Sequence, residues 1–261
     1  MPDILAIEKN GPIVRLILNR PAAGNRIDAS IIRAIQDACN VIRDDREVRV
    51  VVLSASGDRF SAGWDWQALA DESGRATAQS LRLAGVLDDP FGCLASLPQP
   101  VIAAVHGEAS GGGLALALAA DFRIAAGAAE FSAPEVENGL VPMGGTTQRL
   151  ARAVGRSNAL AMILAVESVT ADDALRMGLV SEVVSGSELN ARASALAGRI
   201  AERGPVAVQY AKEALHRGAE MPLDQALRYE TDLTVILQTT EDRAAGVEAF
   251  VKKDAPEFKG R

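Results

Sequence analysis

Two short runs of consecutive apolar residues, within Arg49–Leu53 and Val101–Val105, constrain the fold of this chain more than any other feature. A β-branched run without polar alternation is typical of a strand that is buried on both faces. Ile13–Leu18 and Phe122–Ile124 are predicted as further strands, and stretches with helical spacing separate these segments. Short buried strands that alternate with helices predict an α/β core.

One of the helical stretches has a clear start signal. Asp28 precedes apolar residues that repeat at the helical period, namely Ile31, Ile35, Ala38 and Ile42. An aspartate at this place accepts hydrogen bonds from the first free N–H groups of a helix. We therefore predict a helix that begins just after Asp28 and buries the isoleucine face.

The second half of the chain has mainly helical patterns from about Gly144 onward. Capping residues and helical spacing occur at 157–165, 170–178 and 187–204. Gly204 and Pro205 then mark a break, and three more helix-like segments follow it. The predicted organisation is a core of residues 1–200 and a carboxy-terminal helical module of residues 201–261.

Composition excludes several classes of protein. The 261 residues include 27 Lys and Arg against 34 Asp and Glu, a net charge of -7, so we expect neither nucleic acid nor a membrane surface as partner. The two His and two Cys lack metal-site spacing, so we predict no metal and no disulfide framework. The start of the chain lacks a signal-peptide pattern and no apolar run is long enough to span a membrane, so a cytoplasmic location is expected.

Three segments combine glycines with residues that carry chemistry. They are RFSAGWDW at Arg59–Trp66, HGEASGGG at His106–Gly113 and FSAPEVENGLVPMGGT at Phe131–Thr146. Consecutive glycines admit a ligand close to the backbone, and free N–H groups at a helix start suit an oxyanion. Read alone, the three glycines fit a tight helix–strand contact equally well. They do not form a phosphate loop, because no Lys-Ser/Thr pair follows and Leu116 stands where GxGxxG needs a glycine.

Taken together, these segments resemble the enoyl-CoA hydratase/isomerase family, also called the crotonase superfamily. The resemblance extends over nearly the whole chain. Its motifs follow the family order and spacing: LNRP at Leu18–Pro21, FSAGWD at Phe60–Asp65, AAVHG and GGG within Ala103–Gly113, ADFRIA at Ala120–Ala125, PEVENGLVPMGGTTQRL at Pro134–Leu150, and the closing GVEAFVKKDAPEFKG.

The family resemblance implies a fold, an assembly and a substrate class. The implied fold is α/β, a spiral core of β-β-α turns with two nearly perpendicular sheets and a carboxy-terminal helical module that builds a homotrimer, often paired into a hexamer. The implied substrate is an acyl-CoA thioester. Coenzyme A then enters as part of the substrate, and no separate cofactor is expected.

The resemblance also implies site residues. Two backbone N–H groups, of Trp64 and Gly112, would stabilise the thioester oxygen as an enolate, and one such donor typically contributes about 10²–10³ in rate. Glu135 would be the catalytic carboxylate. The residues implied in substrate binding are Ala62, Gly63, Asp65, Trp66, Gly111, Gly113, Pro134, Lys252 and Lys253.

Ala115 breaks the family pattern. Typical hydratases of the family carry a second catalytic glutamate two residues after the last glycine of the loop, and this chain has Ala115 there. Each general acid or base contributes about 10²–10⁴ in rate, so hydration by the usual pair of carboxylates is not expected. Moving a double bond needs only one carboxylate, which takes a proton from C2 and returns it to C4. The pattern therefore favours isomerase-like chemistry by Glu135.

Two alternatives stay open. The first is a hydratase with a relocated second acid, for which Glu108, Glu137 and Asp65 are candidates; Glu137 faces away from Glu135 if that stretch is extended. The second is a catalytically weak acyl-CoA-binding subunit. Dienoyl isomerases of the family have Asp where this chain has Met143, which disfavours that subclass.

Positive charge for a CoA phosphate is partly missing. Family members often carry lysines where this chain has Ala22 and Gln67. Arg20, Arg26 and Arg59 are the candidate substitutes. His106 is interpreted as a structural residue of the loop.

Overall fold

The computed structural model describes residues 3–71 and 89–261. Its strands are β1 (Leu5–Asn10), β2 (Ile13–Leu18), β3 (Val50–Ala55), β4 (Val101–Val105), β5 (Glu108–Ser110), β6 (Phe122–Ala126), β7 (Glu130–Ser132), β8 (Val169–Thr170) and β9 (Glu182–Val184). Its α-helices are α1 (Ala29–Asp44), α2 (Trp66–Asp71), α3 (Gly92–Ala95), α4 (Gly112–Leu118), α5 (Thr146–Leu164), α6 (Ala171–Arg176), α7 (Leu189–Ala201), α8 (Pro205–Gly218), α9 (Leu223–Leu237) and α10 (Glu241–Lys252). Two 3-10 helices lie at Pro21–Ala23 and Pro134–Asn138.

The larger sheet has six strands in the order β1-β2-β3-β4-β6-β9. The β1–β2 hairpin is antiparallel, and each other neighbouring pair is parallel. Parallel strands need crossover connections, and α1 supplies the one between β2 and β3. All four strands predicted from the sequence are present, and they form the centre of this sheet.

Both faces of the central strands are covered, which explains their uninterrupted apolar sequences. Val50 and Val52 belong to a buried cluster with α7, whereas Val51 and Leu53 belong to the main core on the other side. Successive side chains of a strand point to opposite faces, so a strand between two packed layers has no place for a polar residue.

The helix predicted after Asp28 is α1. The Asp28 carboxylate accepts a hydrogen bond from the Ile31 N–H group at 2.9 Å, which caps the helix. Ile31, Ile35 and Ile42 are buried as their spacing predicts. A buried apolar face of this kind supplies most of the stability of a helix in a protein.

A smaller sheet carries the segment that leads into the glycine-rich loop. Its order is β5-β7-β8, and β5 pairs with β7 in parallel so that Ser110 lies opposite Ser132. The described residues thus form two sheets within an α/β fold. The near-perpendicular arrangement of the sheets and the spiral path of the chain stay predictions.

The helical interpretation of the second half was incomplete. β8 and β9 lie within the region assigned to helices, and β9 pairs with β6 at the edge of the larger sheet. These strands have only two and three residues, too few for a periodicity to distinguish strand from helix.

The first carboxy-terminal helix, α8, contacts the core through a largely buried ion pair. α8 begins at Pro205, directly after the predicted break. The Lys212 ammonium on α8 contacts Asp121 Oδ2 at 2.6 Å and the Gln99 carbonyl at 3.0 Å. The division between residues 200 and 201, and the role of these helices in assembly, stay predictions. In the part of the chain that the structure describes, no helix is long and apolar enough to cross a membrane.

Candidate active site

Two backbone segments run side by side and bring the first two motifs together. Ser61 and Ala109 form a parallel bridge, in which the Ser61 N–H donates to the Glu108 carbonyl at 2.9 Å and the Ser110 N–H donates to the Ser61 carbonyl at 3.0 Å. Two residues further along, Gly63 lies against Ser110, so close that a Cβ on Gly63 would be 3.1 Å from the Ser110 oxygen. Trp64 follows Gly63 directly, and Gly112 lies two residues after Ser110.

The N–H groups of Trp64 and Gly112 have no backbone acceptor in the part of the chain that the structure describes. Ile27 and Trp64 form a parallel bridge whose hydrogen bonds go to the residues on either side of Trp64. The Ile27 N–H donates to the Gly63 carbonyl and the Asp65 N–H donates to the Ile27 carbonyl, each at 2.8 Å. In such a parallel bridge the N–H of the middle residue points away from the partner strand. Among the described residues, neither the Trp64 nor the Gly112 N–H donates a hydrogen bond to a backbone carbonyl.

Gly111 sets the direction of the glycine-rich loop. Its N–H donates to the Ser132 carbonyl at 2.9 Å, its φ is +44°, and α4 begins at the next residue. A side chain is disfavoured at this φ, and a Cβ there would lie 3.0 Å from the Glu135 Oε1 atom. The loop therefore needs glycine both for its backbone conformation and for the space that Glu135 occupies.

Glu135 is the buried carboxylate of the site. It lies on the 3-10 helix Pro134–Asn138 and is only 2% exposed. The Trp64 indole Nε1–H donates to its Oε1 at 3.1 Å, while its Oε2 has no hydrogen-bond partner. Burial raises the pKa of Glu135, and hydrogen bonds from its own backbone N–H and from Trp64 oppose that rise. A carboxyl with a raised pKa is well suited to exchange a proton with carbon near neutral pH.

Three aromatic rings pack together at the indole that binds Glu135. The Trp64 ring stacks on Phe91 with centroids 6.0 Å apart and packs against Trp66 at 6.1 Å. Ala115 is fully buried, and a Cβ on Gly144 would lie 3.0 Å from its Cβ and 3.3 Å from the Phe91 ring. The place where the family pattern has a second glutamate is thus closely packed.

Comparison with known proteins agrees with this geometry. The family model for enoyl-CoA hydratase/isomerase matches residues 8–261. This chain belongs to the enoyl-CoA hydratase/isomerase family. It is 37% identical over 256 residues to a crotonyl-CoA hydratase of Syntrophomonas wolfei, covering 97% of each chain. It is 38% identical over 267 residues to a carnitinyl-CoA dehydratase of Salmonella typhi, covering 100% of each.

Solved structures match the fold over the same extent. An enoyl-CoA hydratase from Bacillus anthracis superposes with a TM-score of 0.92 at 33% identity, covering 99% of this chain and 100% of that one. The resemblance drawn from the motifs is therefore confirmed, as is the α/β fold. Membership makes the protein an acyl-CoA enzyme, but it leaves open which reaction of the enoyl-CoA hydratase/isomerase family this member carries out.

Among the residues that the structure describes, no hydrogen bond or ion pair joins Glu135 to any of the three candidate second acids. Glu108 forms an ion pair with Arg59 at 2.9 Å, and Asp65 accepts the Ala68 N–H at 3.0 Å as the cap of α2. Glu137 is exposed to solvent, and its stretch is a 3-10 helix and not an extended strand. Of these four carboxylates, Glu135 is the one that contacts the Trp64 side chain in the described part of the chain.

Most of the remaining predicted binding residues lie around Trp64. Trp66 packs half-buried against the Trp64 ring, and Pro134 begins the 3-10 helix that carries Glu135. Gly113 is buried against Ser61, where a Cβ would lie 2.6 Å from the Ser61 Cβ. Ala62 lies at the edge of the group and donates its N–H to Gly24 at 2.9 Å. Their roles toward a ligand stay predictions.

The two predicted lysines lie elsewhere. Lys252 ends α10 and forms an ion pair with Glu248, and Lys253 is the exposed residue that follows. In the described ranges, no hydrogen bond or ion pair joins either lysine to another predicted site residue. A role in binding phosphate stays a prediction for both.

The three candidate arginines differ in how they are paired. Arg20 forms an ion pair with Asp28 at 2.6 Å, and Arg59 pairs with Asp58 and Glu108. Arg26 is exposed and contacts the Trp64 carbonyl at 3.4 Å. Arg26 and Arg59 line one surface cavity of about 460 Å³ beside Ala62. Of the three candidate arginines, Arg20 does not line this cavity.

The histidines take no part in the arrangement around Glu135. The His106 Nε2 atom lies 3.1 Å from the Gly57 carbonyl, in line with its structural interpretation. His216 is half-exposed and contacts Asp121 Oδ1 at 2.8 Å. Within residues 3–71 and 89–261, no group of three His, Cys, Asp or Glu side chains is placed to hold a metal ion.

Sequence reasoning missed two features of the site. It assigned Trp64 a backbone role, but not the hydrogen bond from its indole to Glu135, which is 71 residues away. It did not single out Phe91 at all. No local signal points to either contact, because both depend on which loops meet in the folded chain.

Proposed function

We propose that this protein is an enoyl-CoA isomerase that moves a double bond with Glu135 as its one proton carrier. The observation that carries the proposal is the buried Glu135 carboxylate, which has one oxygen bound by Trp64 and the other without a partner among the described residues, together with the buried Ala115 at the family's second glutamate position. One carboxylate suffices to move a proton between two carbons of the same substrate. It does not by itself supply both the base and the acid of the usual hydration.

The proposed reaction starts from a 3-enoyl-CoA. Its thioester oxygen accepts hydrogen bonds from the Trp64 and Gly112 N–H groups, and Glu135 Oε2 removes a proton from C2. The electron pair of the broken C–H bond delocalises into a dienolate whose negative charge the two N–H groups stabilise. Glu135 returns the proton to C4, so the double bond moves from C3–C4 to C2–C3 and the carboxylate is regenerated.

The decisive experiment compares 3-enoyl-CoA and 2-enoyl-CoA thioesters of several chain lengths. Wild-type protein is expected to convert the 3-enoyl substrates, and Glu135→Gln to lose about 10²–10⁴ in rate. A substrate deuterated at C2 tests the single carrier, because part of the label then arrives at C4. Rapid hydration of 2-enoyl-CoA without isomerisation would contradict the proposal, and binding without turnover would favour an acyl-CoA-binding subunit.

Hydration is the second candidate. The names of the relatives favour it, since they include a crotonyl-CoA hydratase and a carnitinyl-CoA dehydratase. On this chain, Glu135 would then have to deprotonate the water and protonate C2 in turn. A hydration rate comparable to the isomerisation rate in the same assay would support this candidate.

We also propose that the chain assembles into a trimer or a pair of trimers through its carboxy-terminal helices. Large apolar side chains on these helices are exposed in the single chain, including Leu215 and Leu223 at 75% and Phe250 at 85%. Exposed apolar residues clustered on a few helices are typical of a protein interface. Light scattering of the purified protein at several concentrations tests the assembly, and a monomer at all of them would contradict it.

A further inference from the structure

We infer that Trp64 is a positioning residue for Glu135: its indole N–H fixes the carboxylate and leaves Oε2 as the atom that carries the proton. This inference rests on the proposed function, because it concerns the same carboxylate. It adds a side-chain role to a residue that the family resemblance involves only through its backbone. Trp64 thereby has two roles in the proposed site. Its backbone N–H binds the thioester oxygen, and its side chain positions the Glu135 carboxylate.

The indole is held firmly enough to act as a positioning group. Trp64 is 2% exposed, and its ring stacks on Phe91 with an angle of 16° between the planes. On another side it packs on Gly112, where a Cβ would lie 2.8 Å from a ring carbon. A ring confined in this way cannot change its rotamer without moving a neighbour, so the direction of its N–H bond is set by packing.

The two oxygens of Glu135 are made unequal by this contact. Oε1 accepts the indole N–H at 3.1 Å, whereas Oε2 is buried and accepts nothing. A buried oxygen without a partner costs free energy unless a ligand group supplies a contact. Oε2 is therefore the oxygen available to a substrate C–H group. The hydrogen bond to Oε1 keeps the carboxylate from rotating and exchanging the positions of its two oxygens.

The hydrogen bond from the indole also affects the pKa of Glu135 in a definite direction. A hydrogen bond donated to the carboxylate stabilises its charged form, so the indole lowers the pKa of Glu135 against the rise caused by burial. Charged groups on the elements around it are Glu137 on the same 3-10 helix, Asp65 and Arg26 beside Trp64, and Arg149, paired with Asp89, on α5. In the described part of the chain, none of them forms an ion pair or hydrogen bond with Glu135.

The test removes the N–H donor while keeping the ring. Site-specific replacement of Trp64 by 3-benzothienylalanine substitutes sulfur for the N–H group at nearly the same volume, and Trp64→Phe is the genetically encoded counterpart. Both are expected to move the acid limb of the kcat/KM profile to higher pH. Below that limb, the loss is expected to be about 10-fold or more, the value of a hydrogen bond to a charged group.

Phe91→Leu is the matched control. It removes the aromatic stack on Trp64 but leaves the indole N–H in place. We expect this variant to lose stability and to move the acid limb less than the benzothienyl protein does, because Gly112 still packs on the indole and the N–H donor is kept. The inference is overturned if the benzothienyl protein keeps the wild-type profile, or if Phe91→Leu moves the limb as far as the benzothienyl protein does.

A readout without turnover separates this inference from the proposed function. The carboxyl band of Glu135 in infrared difference spectra, assigned by its absence in Glu135→Gln, titrates whatever the enzyme catalyses. A higher titration midpoint in the benzothienyl protein supports the hydrogen bond even if the isomerase assay fails. An unchanged midpoint rejects the positioning role even if the isomerase assay succeeds.

Discussion

Ala115 and Phe91 pack against the same side of Gly144, where a Cβ would lie 3.0 Å from the Ala115 Cβ and 3.3 Å from the Phe91 ring. The position at which typical hydratases of the family have a glutamate is thus not an empty space that awaits a side chain. Phe91 also stacks on Trp64, which in turn binds Glu135. The loss of one carboxylate and the packing of the remaining one are therefore parts of the same arrangement.

Ala115→Glu is expected to destabilise the protein by about 1–3 kcal/mol, because it overpacks a buried position and adds a carboxylate there. Ala115→Gln, with the same shape and no charge, separates the two causes. Adding Phe91→Ala to Ala115→Glu is expected to restore part of the stability and to permit hydration of 2-enoyl-CoA. Urea unfolding and the hydration assay measure these effects, and an Ala115→Glu protein as stable as wild type would contradict the packing.

The pH dependence of stability reports on the burial of Glu135. A raised pKa means that the folded protein keeps this proton to higher pH than the unfolded chain does, for which the ordinary value is 4.5. The wild type therefore loses stability as pH rises from that value through the folded pKa. Glu135→Gln has no such loss, so its stability relative to wild type is expected to increase with pH. Urea midpoints across the acid-to-neutral range test this, and a constant difference would argue against the raised pKa.

Gly111→Ala is expected to damage both folding and catalysis. Its φ of +44° costs a non-glycine residue about 1–2 kcal/mol, and the new Cβ would press on Glu135 Oε1. A displaced carboxylate is expected to lower kcat about 100-fold. Gly198→Ala, at an open position inside α7, is the control and should gain about 0.5–1 kcal/mol. Equal behaviour of the two variants in thermal unfolding and in the isomerase assay would refute the special role of Gly111.

Asp121→Asn is expected to weaken the attachment of α8 to the core. Burial opposes ionisation of Asp121, but its contacts with His216 and Lys212 hold its pKa below the ordinary value of 3.8. Removing one partner of a buried ion pair costs about 3–5 kcal/mol. Because the folded pKa is lowered, this stability exists above pH 3.8 and is lost as pH falls through the folded pKa.

The control for this prediction is Asp45→Asn, which breaks the solvent-exposed pair with Lys9 and should change stability little. Denaturant titrations at neutral and acid pH measure the free energy of unfolding of both variants. If Asp121→Asn matches Asp45→Asn at neutral pH, the buried network does not hold α8.

Much of the architecture was accessible from the sequence because it depends on local patterns. Val101–Val105 is a strand at the predicted bounds, since a β-branched run between two layers has few alternatives. Asp28 caps α1 as expected, since a cap acts within three residues. β8 and β9 were missed, because strands of two or three residues exist only through their partners in the sheets.

The motifs by themselves determined the family, singled out Glu135 as the candidate carboxylate and placed Ala115 where typical hydratases of the family have a glutamate. Only the tertiary structure decided how that carboxylate is held. The Trp64 indole reaches Glu135 across 71 residues, and Phe91 comes from a third segment to stack on it. Such contacts depend on which loops the two sheets bring together. No propensity or spacing within one segment encodes a distance between side chains that meet only when the chain is folded.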